Sequence, residues 1–305
     1  MNTTLNFAEY KAHISHLNPI IGIPDEQTEK VIGICEKICS DAALTEKFYS
    51  FRERYFAGDF EHREEFSEPA ALLGCDVRFF ALVLCEMYTL HTLEIYKQRG
   101  YDVETVYYDS MKDIHIWANV CKNQFGTYGI ENYGWVSYQI TCNMFRLGRM
   151  QYHFIEYGDE DTVLHGIKLT KGKRVINVHI PEGDALTTEK RLDSYRRAYD
   201  FMKQTGLAVF VCDSWLLYPG HRDFLPEKSN ILSFMDDFNI LSYKEKPAAT
   251  FGDLWRVFGH RESYVYDELP QNSGLQKAYA ERIKNGENLG TAFGAFVFDG
   301  ENIVR

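Results

Sequence analysis

Proline is scarce in this chain. There are 8 in 305 residues, where average usage of ~5% gives about 15. None lies between Ala70 and Ile180. Proline breaks helix interiors, so that stretch leaves room for long helices. Pro181, Pro219, Pro226, Pro247 and Pro270 punctuate the remainder.

Basic residues are also short. Lys and Arg number 33 against 44 Asp and Glu, a net charge of −11. Such a surface repels phosphate backbones and argues against a general nucleic-acid binder. The densest basic spot, Lys171-Gly172-Lys173-Arg174, reads as a hairpin tip. A local basic site for a nucleotide cofactor remains compatible with the count. No long apolar run exists. Phe79 to Cys85 is the longest we nominate, far below the ~20 residues of a membrane span. Met1-Asn2-Thr3-Thr4 shows no basic region followed by an apolar stretch, so no signal peptide is expected.

Cysteine is not short, with seven, but the number is odd and no C-x-x-C pair occurs. No familiar zinc spacing is present either. Reduced thiols, a cytoplasmic setting and no metal are therefore expected. G-x-S-x-G, Walker A, H-E-x-x-H, EF-hand and G-x-G-x-x-G motifs are all missing.

What is present fits a globular protein: 45% hydrophobic and 25% charged residues. At ~150 residues per domain the length suggests two domains. The first part reads as helices. Val31, Ile34, Cys35 and Ile38 recur at helical spacing after a cap at Asp25. Pro69 opens a short helix that Gly74 ends. Asp76 caps a longer one whose stripe is Phe79, Val83, Met87 and Leu90, widened by Phe80 and Leu84, and Gly100 stops it. Ser110 caps the next, with Ile114, Trp117, Cys121 and Phe125, and Gly126 ends it. The segment 135–147 fits both periods; we read it as a helix stopped by Gly148.

From Met150 the period becomes two. Met150 to Tyr157 alternates, and 164–170 with 174–180 reads as a hairpin around Lys171-Gly172. Thr187 or Thr188 caps a helix with Leu192, Tyr195, Tyr199 and Met202. The run 207–217 is typical of a central strand. Ser229 caps a further helix. Segments 240–245, 254–258 and 291–298 read as strands, and 275–284 as a helix. The fold class is thus α+β: an all-helical N-terminal domain over 1–147, then a mixed α/β domain over 148–305. The second has a central, largely antiparallel sheet with one parallel strand pair made by a helical crossover. Ligands gather at carboxyl ends of parallel strands. Here those ends carry Asn177, His179 and Pro181 on one side, and Cys212, Asp213, Ser214 and Trp215 on the other.

Several segments carry a resemblance: Leu147-Gly148-Arg149-Met150-Gln151, Val178-His179-Ile180-Pro181-Glu182-Gly183, Asp193-Ser194-Tyr195, Cys212-Asp213-Ser214-Trp215-Leu216-Leu217, and Leu225-Pro226 followed by Ser229-Asn230-Ile231. On these the chain resembles acyltransferases that join a helical N-terminal domain to a GNAT-like C-terminal domain. GNAT denotes the superfamily of N-acetyltransferases that use acyl-coenzyme A. The resemblance implies transfer of an acyl group from acetyl-CoA or a longer acyl-CoA to an amine or hydroxyl of a small molecule, with the helical domain covering the cleft. In GNAT enzymes a Q/R-x-x-G-x-G/A loop wraps the pyrophosphate. The equivalent stretch, residues 181–186, has one glycine and two acids, Glu182 and Asp184. That departure supports an alternative, a non-catalytic GNAT-like binding protein that has lost CoA binding.

Individual residues carry two readings each. His179 can take a proton from an attacking amine, or hydrogen-bond at the rim of the core. Tyr218 matches the tyrosine general acid that the resemblance implies, or packs. Gly183, Thr187 and Thr188 stand where a helix N-terminus receives phosphate. Asp213, Ser214, Trp215 and Asn230 are candidate substrate contacts, or turn, core and cap residues. His153 and Arg149 read first as polar groups where the domains meet, and second as substrate contacts. Cys212 within an apolar run is a small buried hydrophobe, or a nucleophile.

Overall fold

The computed structural model describes residues 5–304. The chain divides into two compact units between Arg146 and Leu147. The first contains helices α1 (Phe7–Ile21), α2 (Asp25–Ser40), α3 (Ala42–Phe56), α4 (Ser67–Leu73), α5 (Val77–Arg99), α6 (Tyr108–Phe125) and α7 (Tyr133–Ile140). α5 is its axis. The Asp76 carboxylate accepts the Arg78 N–H at 2.7 Å, and Gly100 ends the helix in the left-handed region. Phe80 to Thr89 are buried without a break, so this helix is covered all round, as its broad apolar stripe requires. The α2 stripe Val31, Ile34, Cys35 and Ile38 is buried as its spacing predicts.

Three N-terminal expectations change. Asp25 is not a cap but the first residue of α2, whose cap position is Pro24. Ser110 is not a cap. α6 begins at Tyr108, after a π-turn over Val103–Tyr107 that the Asp102 side chain caps. The buried Ser110 hydroxyl instead accepts the Arg146 N–H at 2.9 Å. The segment 135–147 is both of its two candidate structures in turn. α7 ends at Ile140, Cys142 takes a positive φ of 59°, and strand β1 (Phe145–Leu147) follows. Gly148, at φ 75°, turns the chain into β2 rather than stopping a helix.

The second unit continues with β2 (Met150–Glu156), β3 (Thr162–Leu164), β4 (Ile167–Leu169), β5 (Arg174–His179), α8 (Thr188–Phe201), β6 (Ala208–Ser214), α9 (Asn230–Met235), β7 (Asn239–Pro247), α10 (Trp255–Phe258), α11 (Gly274–Lys284), β8 (Asn288–Phe298) and β9 (Ile303–Val304). The main sheet has the order β1-β2-β5-β6-β8-β7, with β9 on β8. β5 and β6 are parallel, and the other registered pairs are antiparallel. The α+β class with one parallel pair therefore stands.

Two strand expectations are corrected. β5 pairs with β2, not with 164–170. His165 and Gly166 both have positive φ, the geometry of a two-residue hairpin turn, and so fold β3 and β4 onto each other. Residues 254–258 hold a short helix. Leu254, Val257 and Phe258 are buried at helical spacing, and that period wins over the apolar run.

The sheet has two distinct faces. On one, Phe210 stacks on Phe296 at 4.9 Å, and Tyr195 of α8 closes over Phe296 at 4.7 Å. Beneath α8, the almost fully buried Arg191 pairs with Asp237 at 2.6 Å, and the Tyr195 hydroxyl donates to the same carboxylate at 3.0 Å. On the other face Val175, Val209, Val211, Ala295 and Val297 pack beneath Leu164 and Leu169 of the β3–β4 hairpin.

Candidate active site

The parallel pair is short. Its register is Ile176 with Phe210 and Asn177 with Val211. Beyond these, Val178 and His179 stay paired to β2, while Cys212, Asp213 and Ser214 stay paired to β8. The two strands have parted company, so the sheet opens between the carboxyl ends of β5 and β6. Side chains alternate along a strand, which places His179 and Asp213 on the same face, the face of Val175 and Val211.

α8 begins beside this opening in the chain. The Thr187 hydroxyl accepts the Lys190 N–H at 3.4 Å as N-cap. Thr188 lies in the first turn, its hydroxyl 3.4 Å from that of Ser233 on α9. Gly183 has φ 147°, a backbone state that side chains rarely adopt. The loop is less acidic than its composition suggests. Asp184 is ion-paired with Lys190 at 2.6 Å. The Arg149 guanidinium donates to the carbonyls of Pro181 and Asp184, at 2.8 and 2.6 Å. One cation thus meets one acid of the loop, and a second cation binds its carbonyls, around a helix N-terminus.

His179 does not stand alone. Its Nε2 lies 3.2 Å from Nδ1 of His153 and 3.1 Å from Nδ2 of Asn177. The two imidazoles stack at 5.0 Å, 12° from parallel. The register explains the meeting: His153 is opposite Asn177, and Gln151 is opposite His179. Four polar side chains therefore share one face at the strand ends. Burial, then His153 and Arg256, push His179 down to about 3, and burial lowers His153 too.

The remaining candidates fall in three places. Asp213 is exposed at the end of β6, and partial desolvation of its carboxyl raises its pKa against the lowering effect of Lys244. Ser214 caps the 3-10 turn Trp215–Leu217, accepting the Leu216 N–H at 3.1 Å. Trp215 packs edge-on against Tyr279 at 5.8 Å. The buried Tyr218 donates its hydroxyl to Glu245 at 2.7 Å, and burial followed by that carboxylate raises its pKa. Asn230 is exposed as the first residue of α9, where Ser229 is the cap. His179, Asp213 and Ser214 thus flank the opening, Thr187 and Thr188 head α8, and Tyr218 is engaged with β7. Cys212 is fully buried and its thiol is pushed up by burial; this environment does not make a nucleophile. Among the described residues no group of three metal-ligand side chains forms.

Two participants were underweighted from sequence. His153 and Arg149 read first as interface polar groups and second as substrate contacts, and each contacts a candidate segment directly. The signal was present: Gln151-x-His153 and Asn177-x-His179 place polar residues two apart in otherwise apolar strands.

A largely antiparallel sheet that opens beside one parallel pair, with a helix N-terminus following the opening, is the architecture of a GNAT-like domain. Residues 144–296 match the family model of the GNAT-like C-terminal domain, and residues 12–142 match that of the N-acyltransferase N-terminal domain. The chain belongs to this family. Among solved structures it is similar to an acyltransferase mutant in complex with octanoyl-CoA, at 20% identity and a TM-score of 0.72, covering 93% of this chain and 87% of that one. An acyltransferase in complex with decanoyl-CoA and teicoplanin is equally similar, at 20% identity and TM-score 0.72, with 92% and 86% covered. No curated relative matches the sequence.

Proposed function

We propose that this protein is an acyltransferase that moves an acyl group from acyl-CoA to an amine or hydroxyl of a small-molecule acceptor. The observation that carries the reading is the opening between β5 and β6, just ahead of the N-terminus of α8. The similar structures hold octanoyl-CoA, decanoyl-CoA and teicoplanin, which supports a thioester donor and makes medium-length acyl chains the first donors to try.

In this reading the thioester lies in the opening. Backbone N–H groups of β6 beyond Val211 that face it stabilise the oxyanion. The pyrophosphate is held by Gly183, Thr187 and Thr188 through backbone amides and the helix dipole. Lys190 and Arg149 offset Asp184 and Glu182 there. Asp213, Ser214, Trp215 and Asn230 line the acceptor side. The acceptor nucleophile attacks the acyl carbon, its proton passes to the imidazole pair of His179 and His153, and the C–S bond breaks. Tyr218 protonates the departing thiolate once its hydroxyl turns from Glu245. Residues 1–147 and 148–305 are the two functional domains. The seven unpaired cysteines fit a reducing cytoplasm, and no helix among the described residues is long and apolar enough to cross a membrane.

The test is thiol release from acetyl-, octanoyl- and decanoyl-CoA across a panel of amines and alcohols. Acceptor-dependent release supports the reading. Hydrolysis no faster than without protein, for every pair, contradicts it.

A further inference from the structure

Two facing imidazole nitrogens 3.2 Å apart admit one proton between them. Two bare lone pairs repel, and two N–H groups collide. The Nε2 atom of His179 also meets the amide nitrogen of Asn177 at 3.1 Å, and an amide nitrogen only donates. Nε2 of His179 is therefore an acceptor, and its ring proton sits on Nδ1. The shared proton then belongs to Nδ1 of His153, which leaves the lone pair of His153 on Nε2.

We propose that His153, rather than His179, carries the basic nitrogen of the pair, and that His179 is a positioning residue whose Nε2 holds the Nδ1–H of His153. This rests on the acyltransfer reading above. The acceptor's N–H or O–H proton moves to Nε2 of His153 as the new bond to the acyl carbon forms. His153 becomes an imidazolium whose Nδ1–H still donates to His179. The antiparallel register, which sets His153 opposite Asn177 and Gln151 opposite His179, keeps the two rings adjacent. The surrounding charge agrees: Arg256 acts on His179, which burial also holds low, whereas burial alone is the cause at His153. A proton is thus less opposed on His153 than on His179.

Two measurements decide it, and the first needs no activity. Two-bond proton–nitrogen correlation spectra of protein with labelled histidine, with His153 and His179 assigned by loss in His153→Gln and His179→Gln, report each tautomer. Both rings should be protonated at Nδ1. Both protonated at Nε2 would overturn the proposal, whether or not acyl transfer is ever found. In the transfer assay, His153→Gln should lower kcat by about 100-fold or more, the scale of a lost general base. His179→Gln places an amide oxygen near the former Nε2 and should stay within about tenfold of wild type. KM for acyl-CoA should barely move in either. A folded His179→Gln as damaged as His153→Gln would return the base to His179.

Discussion

The hydroxyl of Tyr218 donates to the Glu245 carboxylate at 2.7 Å, and its ring is held between two glycines. A Cβ on Gly220 would come 2.5 Å from that ring. One on Gly290 would strike the Lys244 carbonyl and come 2.7 Å from Cδ2 of Tyr218. Overpacking of this kind costs ~1–3 kcal/mol. Gly290→Ala should destabilise by about that amount in urea unfolding, because a backbone carbonyl cannot step aside. Wild-type stability would refute the tight slot. Glu245→Gln should lower the Tyr218 pKa, read by ultraviolet titration, since the carboxylate opposes ionisation of the phenol beside it.

The buried pair Arg191–Asp237 joins α8 to the segment before β7. Removing one partner leaves a buried charge, which costs ~3–5 kcal/mol. Arg191→Met should fall in that range by chemical denaturation. Removing both with Asp237→Leu should recover part of the loss. A single substitution costing less than about 1 kcal/mol would show that the pair is dispensable.

Stability should peak in mildly acidic solution. Glu86 of α5 is fully buried, and burial raises it to about 8 despite a 2.8 Å hydrogen bond from Asn18. The folded state therefore holds a proton that the unfolded chain releases near its ordinary value. The contribution is complete below that value and is lost as pH rises toward 8. On the other side, burial pushes His13 and His221 down to about 4 and His179 to about 3. Their neutral forms favour folding above the ordinary imidazole value, and this is lost as pH falls below it. Glu86→Gln should gain on wild type steadily from pH 5 to 8. Parallel stability curves over that window would contradict the burial account.

Charge at the loop ahead of α8 should be visible in donor affinity. Lys190→Ala removes the ammonium paired with the Asp184 carboxylate, and Arg149→Ala releases the Pro181 and Asp184 carbonyls. Each should weaken CoA binding by about three- to tenfold, the scale of ~1 kcal/mol for surface charge interactions. Added salt should shrink the difference. Asp184→Asn should move affinity the other way.

Helices with caps and stops were legible from residue types. Asp76 and Gly100 delimit α5, and Thr187 begins α8, because side-chain caps and left-handed glycines are local chemistry. The parallel β5–β6 pair followed from the crossover rule. Pairing choices were harder. Whether 174–180 joins β2 or its nearer neighbour depends on two positive φ values at His165 and Gly166, and a His–Gly step is a weak turn signal. The site had the same limit. His179 was visible as a polar residue at a strand end, but its contact with His153 requires the β2–β5 register, which no single segment encodes. The loop of residues 181–186 looked hostile to phosphate from its acids alone; Lys190 and Arg149 come from the next helix and from β2's approach.

The central claim is that the opening between β5 and β6 takes an acyl-CoA. Calorimetric titration of the purified protein with acetyl-, octanoyl- and decanoyl-CoA tests it most directly, with melting temperature followed in parallel. Binding should be saturable at one site per chain, and ligand at about 100 times its Kd should add ~2.7 kcal/mol of stability, seen as a rise in Tm. No heat and no change in Tm with any of the three thioesters at millimolar concentration would contradict the account.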